Sequence, residues 1–329
     1  MTSARRFSAD TSWGPLQGGH RPIPATVPAL VTGASSGLGE TFARHLARRG
    51  HELVLVARRV DRLERLATEL RALSGMTVEV LGADLETAAG RGQVVDRLSG
   101  DSPWLLVNSA GFGTRGRFVD QVGHREASEV TLNCLGVHEL MRAALTGCVA
   151  ARGGGVINLA STASFQPIPH MATYAATKAF VLHLTEAVAT ELRGSGVRVM
   201  ALCPGPTRTG FGGVAGMHED FERLGPLYMS ADRVVATGLR AFDRGDVICV
   251  PGLFNLASAM SLRMVPRFMV QSMLAPVFAN SEPGLRDETE STNRPTPRST
   301  RAVAQETRGE CSQSPNRTMR SPSTSSAPR

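Results

Sequence analysis

Short apolar segments alternate with amphipathic segments along the middle of this 329-residue chain, and this alternation strongly constrains its fold. The apolar segments have the character of buried strands and cover residues 29–31, 52–56, 77–81, 104–107, 155–159, 197–202 and 247–250. The amphipathic segments between them indicate helices and include residues 38–49, 61–73, 126–149 and 174–193. Strands that are apolar on both faces and separated by helices predict a parallel sheet buried between two helical layers. We therefore expect an α/β fold: a single Rossmann-type, doubly wound parallel sheet of about seven strands with helices on both faces.

The two ends of the chain have compositions that do not suit a folded core. Residues 281–329 contain nine Ser, seven Thr and six Pro but no aromatic residue, and we expect a disordered Ser/Thr/Pro/Arg-rich tail. Residues 1–28 are predicted to form a flexible N-terminal arm. The folded domain is then expected to span residues 29–280, including an apolar segment at 253–279.

Charge and cysteine content exclude several classes of protein. The chain carries 36 basic and 29 acidic residues, but the excess is spread out without a dense basic stripe, which argues against nucleic-acid binding. The five Cys residues show no CxxC spacing, so neither a disulfide framework nor a metal site is expected. Because the N-terminal segment does not resemble a signal peptide, we expect a cytoplasmic protein.

A glycine-rich turn follows the first predicted strand and leads directly into a helix. Such a turn lets the backbone approach a pyrophosphate, which the N-terminus of the helix stabilises. The residues expected to contact a dinucleotide here are Gly33, Ser35, Ser36, Gly37, Leu38 and Gly39. The same run contains the G-x-S-x-G pattern of an α/β-hydrolase, which would make Ser35 a nucleophile. That alternative is the weaker one, because no earlier strand could supply the oxyanion loop.

Two arginines, Arg58 and Arg59, follow the second predicted strand. An acidic residue near this position would bind the ribose 2′-hydroxyl of NAD. Two guanidinium groups suit a 2′-phosphate instead, and they favour NADP(H).

Further candidate cofactor residues follow the third and fourth predicted strands. Asp84 and Leu85 follow the third strand, where Asp84 either caps a helix or contacts an adenine ring. A turn after the fourth strand contributes Asn108, Ala110 and Gly111, and its glycine permits close approach of a ligand.

Tyr174 and Lys178 form the most specific pattern in the sequence. Lys178 is the single lysine among the 36 basic residues, and it lies four positions after one of only two tyrosines, on the same helix face. An ammonium near a phenol lowers the pKa of the phenol, and a cationic oxidised nicotinamide would lower it further. The phenol then becomes a usable acid–base group near neutral pH. Ser161, which follows the fifth strand, could hydrogen-bond the oxygen of a substrate.

Together these motifs resemble those of the short-chain dehydrogenase/reductase family over about residues 28–255. The family pattern TGxxxGxG matches the run from Thr32 to Gly39. The family pattern NNAG matches the run from Asn108 to Gly111, with Ser109 in place of the second Asn.

The resemblance implies a role for each matched residue. Tyr174 exchanges a proton with the substrate oxygen, Lys178 also hydrogen-bonds the nicotinamide ribose, and Ser161 holds the reacting oxygen. Asn133 anchors a proton relay through water. The motif expected beside the nicotinamide comprises Pro204, Gly205, Thr207 and Thr209.

The sequence therefore predicts an oxidoreductase that transfers a hydride between NADP(H) and a hydrophobic carbonyl or alcohol. The hydrophobic preference comes from residues 211–229, an apolar segment with glycines that is interpreted as a lid. A non-catalytic NADP-binding regulator is the alternative in another class, although a regulator would not need the acid–base Tyr174. The apolar segment 253–279 is interpreted as a lid or subunit contact, with a membrane-surface helix pair or a core extension as alternatives. We expect a homo-oligomer.

Overall fold

The computed structural model describes residues 22–209 and 228–261, together with residues 269 and 272. These residues belong to one unit of the chain, Met1–Gly284, and the second unit, Leu285–Arg329, lies outside the described residues. The predicted arm up to residue 21, residues 211–227 of the predicted lid and most of segment 262–279 also lie outside them. The predicted limits of arm, domain and tail therefore stay predictions.

Seven strands form one parallel sheet, and this confirms the predicted fold class. They are β1 (Ala29–Thr32), β2 (Leu53–Ala57), β3 (Val78–Gly82), β4 (Leu105–Asn108), β5 (Gly155–Leu159), β6 (Arg198–Leu202) and β9 (Ile248–Cys249). Their order in the sheet is β3-β2-β1-β4-β5-β6-β9, and every neighbouring pair is parallel. The chain runs outward from β1 to β3 and then returns to β4 on the other side of β1. Ligands of such sheets bind at the carboxyl ends of the strands, beside this switch point.

A second, smaller pair of strands lies outside the main sheet. β7 (Thr207–Arg208) and β8 (Met229–Ser230) pair with each other in parallel. They follow β6 and precede the last helices, so they bracket the segment that was predicted to form a lid.

Helices cover both faces of the sheet. They are α1 (Gly37–Arg48), α2 (Val60–Ser74), α3 (Ala88–Leu98), α4 (Gly123–Val130), α5 (Val137–Ala150), α6 (Ala172–Glu191), α7 (Ala231–Arg244) and α8 (Leu253–Ser261). Successive strand residues point to opposite faces, so Leu30 and Val31 of β1 belong to two different core clusters. The Val31 cluster includes buried side chains of α1, α2 and α7, and the Leu30 cluster includes buried side chains of α3, α5 and α6.

The predicted helix over residues 126–149 is divided in the structure. α4 ends at Val130, a π-helical turn covers Thr131–Gly136, and α5 begins at Val137. A π turn inserts one extra residue without interrupting the helical backbone, so the apolar pattern of the sequence does not reveal it. Such turns are frequent at functional sites.

Among the described residues, no helix combines the length and the apolar character that crossing a membrane would require.

Candidate active site

The carboxyl ends of the central strands surround a cavity of about 610 Å³. This volume is typical of sites for cofactors and small molecules. Most of the residues that the sequence predicted for the site line it: Gly33, Ser35, Ser36, Gly37, Leu38, Arg58, Arg59, Asp84, Leu85, Ala110, Gly111, Ser161, Tyr174, Lys178, Pro204, Gly205, Thr207 and Thr209. Gly39, Asn108 and Asn133 are not part of the lining.

Thr32 and Gly33 hold the glycine-rich turn in contact with the turn that follows β4. The Thr32 hydroxyl accepts hydrogen bonds from the backbone N–H groups of Ser109 and Ala110, both at 3.0 Å. Gly33 has a φ of 66°, and a Cβ at this position would lie 2.9 Å from Cα of Ala110. A side chain here would therefore strain the backbone and collide with the neighbouring turn. Gly39 packs below the turn, where a Cβ would collide with the carbonyl oxygen of Gly33.

The two predicted arginines hold different partners. Arg59 Nη2 donates to the hydroxyls of Ser35 and Ser36, each at 2.9 Å, and so lies against the glycine-rich turn. Arg58 Nη1 forms an ion pair with Glu86 Oε1 at 2.8 Å, and its side chain is 61% exposed. Ser36 is the N-cap of α1 but its side chain makes no capping hydrogen bond. Arginines beside an uncapped helix N-terminus fit a bound phosphate group.

Asp84 and Leu85 lie in the cavity wall after β3. The Asp84 carboxylate accepts a hydrogen bond at 3.1 Å from the backbone N–H two residues further along the chain. The N-cap of α3 is Thr87, whose hydroxyl accepts from the backbone N–H of Gly90 at 3.0 Å. Asp84 is therefore not the helix cap, and it keeps its place at the cavity.

Asn108 points into the protein and not into the cavity. Its Nδ2 donates to Asn158 Oδ1 at 2.9 Å, and Asn158 Nδ2 donates to Thr185 of α6 at 3.0 Å. Both asparagines are buried. The Asn108 side chain therefore ties β4 to β5 and α6, and the cofactor contact predicted for Asn108 stays a prediction. Asn158 was not predicted, because a single Asn inside an apolar strand carries no motif.

Ser161, Tyr174 and Lys178 meet in the wall of the cavity. The side chains of Ser161 and Tyr174 are hydrogen-bonded to each other. Lys178 Nζ lies 5.8 Å from the centroid of the Tyr174 ring and donates to the carbonyl oxygen of Leu159 at 2.8 Å. The Ser161 hydroxyl also accepts from the backbone N–H of Ala163 at 3.1 Å, which fixes its position at the end of β5.

Burial shifts the pKa of both titratable groups in this set. Burial, together with the nearby carboxyl of Glu129, raises the pKa of Tyr174 to about 12, although the hydrogen bond with Ser161 acts to lower it. The expectation of a lowered Tyr174 pKa is wrong for the protein alone, because desolvation of the phenolate outweighs the hydrogen bond with Ser161. Burial lowers the pKa of Lys178 to about 8, so its ammonium remains mostly charged at neutral pH.

Asn133 lies in the π-helical turn, and its side chain is fully buried. Nδ2 donates to the Phe112 carbonyl at 2.9 Å and to the Thr177 hydroxyl at 3.1 Å, while Oδ1 accepts from the Phe112 N–H at 3.3 Å. A Cβ on Gly111 would lie 2.8 Å from Asn133 Oδ1 and 3.5 Å from Lys178 Nζ. Asn133 therefore holds the loop after β4 close to Lys178, and its role in a proton relay stays a prediction.

Several cavity residues were not predicted from the sequence. They include the basic Arg62, the apolar Phe112, Leu132, Ile168 and Met171, and the polar or acidic Glu86, Thr162 and Gln166. Arg62 could have been found, because it lies one helical turn after the two predicted arginines. The apolar residues could not be assigned to the cavity from the sequence, because apolar side chains are expected equally in the core and in a cavity wall.

The hydrolase alternative receives no support from the surroundings of Ser35. Its hydroxyl accepts hydrogen bonds from Arg59, and among the described residues no His lines the cavity. A Ser nucleophile requires an adjacent base. The described part of the chain also contains no group of three or more His, Cys, Asp or Glu side chains that could hold a metal ion.

Comparison with known proteins identifies the family of the chain. Residues 28–219, more than half of the sequence, match the family described as short chain dehydrogenase. The chain belongs to the short-chain dehydrogenase family. A very-long-chain 3-oxoacyl-CoA reductase from Podospora anserina is 35% identical to it over 176 residues, which cover 52% of each chain. This short-chain dehydrogenase thus spans about half the length of that relative.

Two solved structures match a larger share of this short-chain dehydrogenase. One is a short-chain dehydrogenase from Sphingobium yanoikuyae in complex with NADPH, with 38% identity and a TM-score of 0.67, covering 74% of this chain and 94% of that chain. The other is a bulky-bulky ketone specific alcohol dehydrogenase from Comamonas testosteroni, with 35% identity and a TM-score of 0.62, covering 72% of this chain and 93% of that chain.

Proposed function

We propose that the protein is an NADP(H)-dependent oxidoreductase that interconverts a bulky hydrophobic ketone and its alcohol. The observation that carries this proposal is the meeting of Ser161, Tyr174 and Lys178 in one cavity with the glycine-rich turn and Arg59. One part of the cavity offers a proton donor and a cation, and another offers donors that suit phosphate groups.

The chain's own residues fit a dinucleotide with a 2′-phosphate. Ser36 and Gly37 at the start of α1 are expected to receive the pyrophosphate, and Arg58 and Arg59 the 2′-phosphate. The similar structure from Sphingobium yanoikuyae is a complex with NADPH, which supports the same cofactor here. When bound, NADPH supplies the hydride for reduction.

Three side chains are expected to handle the proton. Tyr174 keeps its proton at neutral pH, because burial raises its pKa to about 12, and it can donate this proton to a carbonyl oxygen. Ser161 hydrogen-bonds Tyr174 and is placed to orient the same oxygen. The Lys178 ammonium, 5.8 Å from the ring centroid, stabilises the tyrosinate that remains. In this protonation state Tyr174 is ready to act as the general acid of carbonyl reduction.

The substrate class follows from the apolar part of the cavity wall. Phe112, Ile168 and Met171 line the same cavity as Tyr174. These apolar side chains favour substrates that carry bulky apolar groups, because such groups are removed from water on binding. The similarity to an alcohol dehydrogenase that is specific for bulky-bulky ketones supports the same class.

A panel of carbonyl compounds, with NADPH consumption followed by absorbance, tests the proposal. The panel should include ketones with bulky groups on both sides, 3-oxoacyl thioesters and small polar ketoses. We expect kcat/KM for the bulky ketones to exceed that for the ketoses by at least about tenfold. NADPH binding without turnover of any carbonyl or alcohol would support the regulator and contradict the enzyme.

A further inference from the structure

Glu129, in the last turn of α4, is a buried carboxyl group that the proposed chemistry does not use. Its side chain has no exposed surface. Oε2 accepts two hydrogen bonds from Thr114, from the backbone N–H at 3.0 Å and from the hydroxyl at 2.7 Å. Within the described part of the chain, the buried Oε1 has no hydrogen-bond partner. A buried carboxyl oxygen without a partner is costly, so its presence calls for a physical reason.

The position of Glu129 connects it to the reacting side chains. It lies one helical turn before Asn133, so the two side chains share a face. Glu129 holds Thr114, and Asn133 holds Phe112, so both side chains fix the loop after β4. Asn133 also bonds Thr177, the residue before the lysine of α6. Glu129 therefore helps to fix the loop that, through Asn133 and Gly111, lies against Lys178.

The charges around Glu129 come from four elements. Lys178 and Tyr174 of α6, Cys134 of the π-helical turn and Glu126 of its own helix are close enough to interact with it electrostatically. The loop after β4 contributes Thr114, and Arg115 follows it in sequence. Burial and Glu126 raise the pKa of Glu129, while Thr114 and the Lys178 ammonium lower it, and the result is a pKa of about 7. The influence is mutual, since the Glu129 carboxylate raises the pKa of Tyr174 and of Lys178.

We propose that Glu129 is a positioning residue whose own protonation state sets how tightly Tyr174 and Lys178 hold their protons. When Glu129 is ionised, its negative charge favours the protonated phenol, which is the form needed to reduce a carbonyl. When Glu129 is neutral, the phenolate needed to oxidise an alcohol forms more readily. This inference rests on the proposed function for its catalytic meaning, but the electrostatic coupling itself can be measured without any turnover.

The single lysine of the chain gives a direct measurement. Incorporation of [13Cε]-lysine into the full-length protein yields one side-chain carbon resonance, that of Lys178, which can be titrated by NMR. The variant Glu129→Gln keeps the size of the side chain and removes its charge. We expect the pKa of Lys178 to fall by roughly 0.5–1 unit in this variant, the size expected for losing one charge at close range in a protein interior.

Two further variants separate electrostatics from structure. Glu126→Gln removes a charge from the same helix, where Glu126 is partly exposed and accepts from Thr173 at 2.6 Å, and should shift Lys178 clearly less. Thr114→Val removes the hydroxyl that stabilises the Glu129 carboxylate, so it should keep Glu129 neutral to higher pH and lower the Lys178 pKa in the same direction as Glu129→Gln.

Enzyme kinetics supply the second measurement. The apparent pKa of the rising limb in the pH profile of alcohol oxidation should fall in Glu129→Gln, with plateau kcat within about threefold of the wild type. Unchanged Lys178 titrations in both Glu129→Gln and Thr114→Val would overturn the inference, and if Glu129→Gln does not fold, Thr114→Val alone decides. The Lys178 titration could shift in Glu129→Gln although the wild-type protein turns over no substrate. That result would refute the proposed function but confirm the electrostatic coupling between Glu129 and Lys178.

Discussion

At the scale of single residues, the hydroxyl of Tyr174 is the group on which the proposed chemistry depends. It is hydrogen-bonded to Ser161, and the Lys178 ammonium lies beneath its ring. We expect Tyr174→Phe to lose at least about 100-fold in kcat while NADPH still binds, because the variant removes the proton donor and little else. Initial-rate assays give kcat, and a fluorescence titration gives the Kd for NADPH. Turnover close to that of the wild type would rule out Tyr174 as the general acid.

Glu129 also makes the stability of the protein depend on pH. Burial raises its pKa from an ordinary 4.5 to about 7, so the folded protein holds this proton more tightly than the unfolded chain does. The stability contributed by the group is fully present below about pH 4.5 and is lost as the pH rises through 7. The free energy of unfolding of the wild type should therefore fall, relative to Glu129→Gln, between pH 4.5 and 8. Urea unfolding of both proteins across this range measures the difference, and parallel curves would contradict it.

At the scale of secondary structure elements, the turn between β2 and α2 presents two arginines in different states. Arg59 bonds two neutral hydroxyls, which it can release at little cost, whereas Arg58 is paired with the Glu86 carboxylate. A charge-assisted hydrogen bond to phosphate contributes roughly 1.5–3 kcal/mol, or about 10- to 150-fold in Kd. We expect Arg59→Ala to weaken NADPH binding by an amount in this range and Arg58→Ala by less, with NADH almost unaffected by either.

Glu86→Gln is the matched control for the arginine pair, because it frees Arg58 without removing a guanidinium. NADPH binding to this variant should be tighter than to the wild type. Calorimetric titrations with NADPH and NADH measure all three variants. Equal losses for NADPH and NADH in the arginine variants would mean that neither side chain contacts a 2′-phosphate.

The sequence predicted the features that depend on residues close together in the chain. The strands could be located within one or two residues, because strands buried on both faces are continuous apolar segments. The Tyr174–Lys178 pair was predictable, because helical spacing alone brings residues four apart together. The burial of Glu129 and Asn158 was not, because their partners Thr114 and Asn108 are distant in sequence and only the tertiary fold brings them close. The pKa of Tyr174 was misjudged for the same reason, since burial cannot be measured from spacing.

At the scale of the whole molecule, one side of α8 packs beside the cavity and the other side exposes apolar side chains. Asn255 is buried and donates to the Pro251 carbonyl at 3.0 Å, and a Cβ on the cavity residue Gly205 would collide with its side chain. Ala259, one turn later, is also buried. The opposite side of the helix exposes Leu253 and Phe254, at 62% and 64% of their surface. Large apolar side chains exposed side by side are typical of a contact surface.

This geometry sharpens the prediction for the segment that begins at residue 253. Complete removal of the segment would also remove Asn255 from beside Gly205, so loss of activity in a truncated protein would be ambiguous. The double variant Leu253→Ser/Phe254→Ser changes only the exposed side. The matched control is Met76→Ser, an exposed apolar residue before β3, at the edge of the sheet opposite β9.

We expect the wild-type protein and Met76→Ser to sediment as the same oligomer, and the double variant to sediment as a smaller species with its NADPH binding intact. Sedimentation velocity measures the oligomers, and co-sedimentation with anionic liposomes tests the membrane alternative, which predicts binding that the double variant loses. An oligomer that persists in the double variant would contradict the role of Leu253 and Phe254. The next candidates for the subunit contact would then be the exposed apolar side chains around α4 and α6, namely Val130, Leu135 and Phe180.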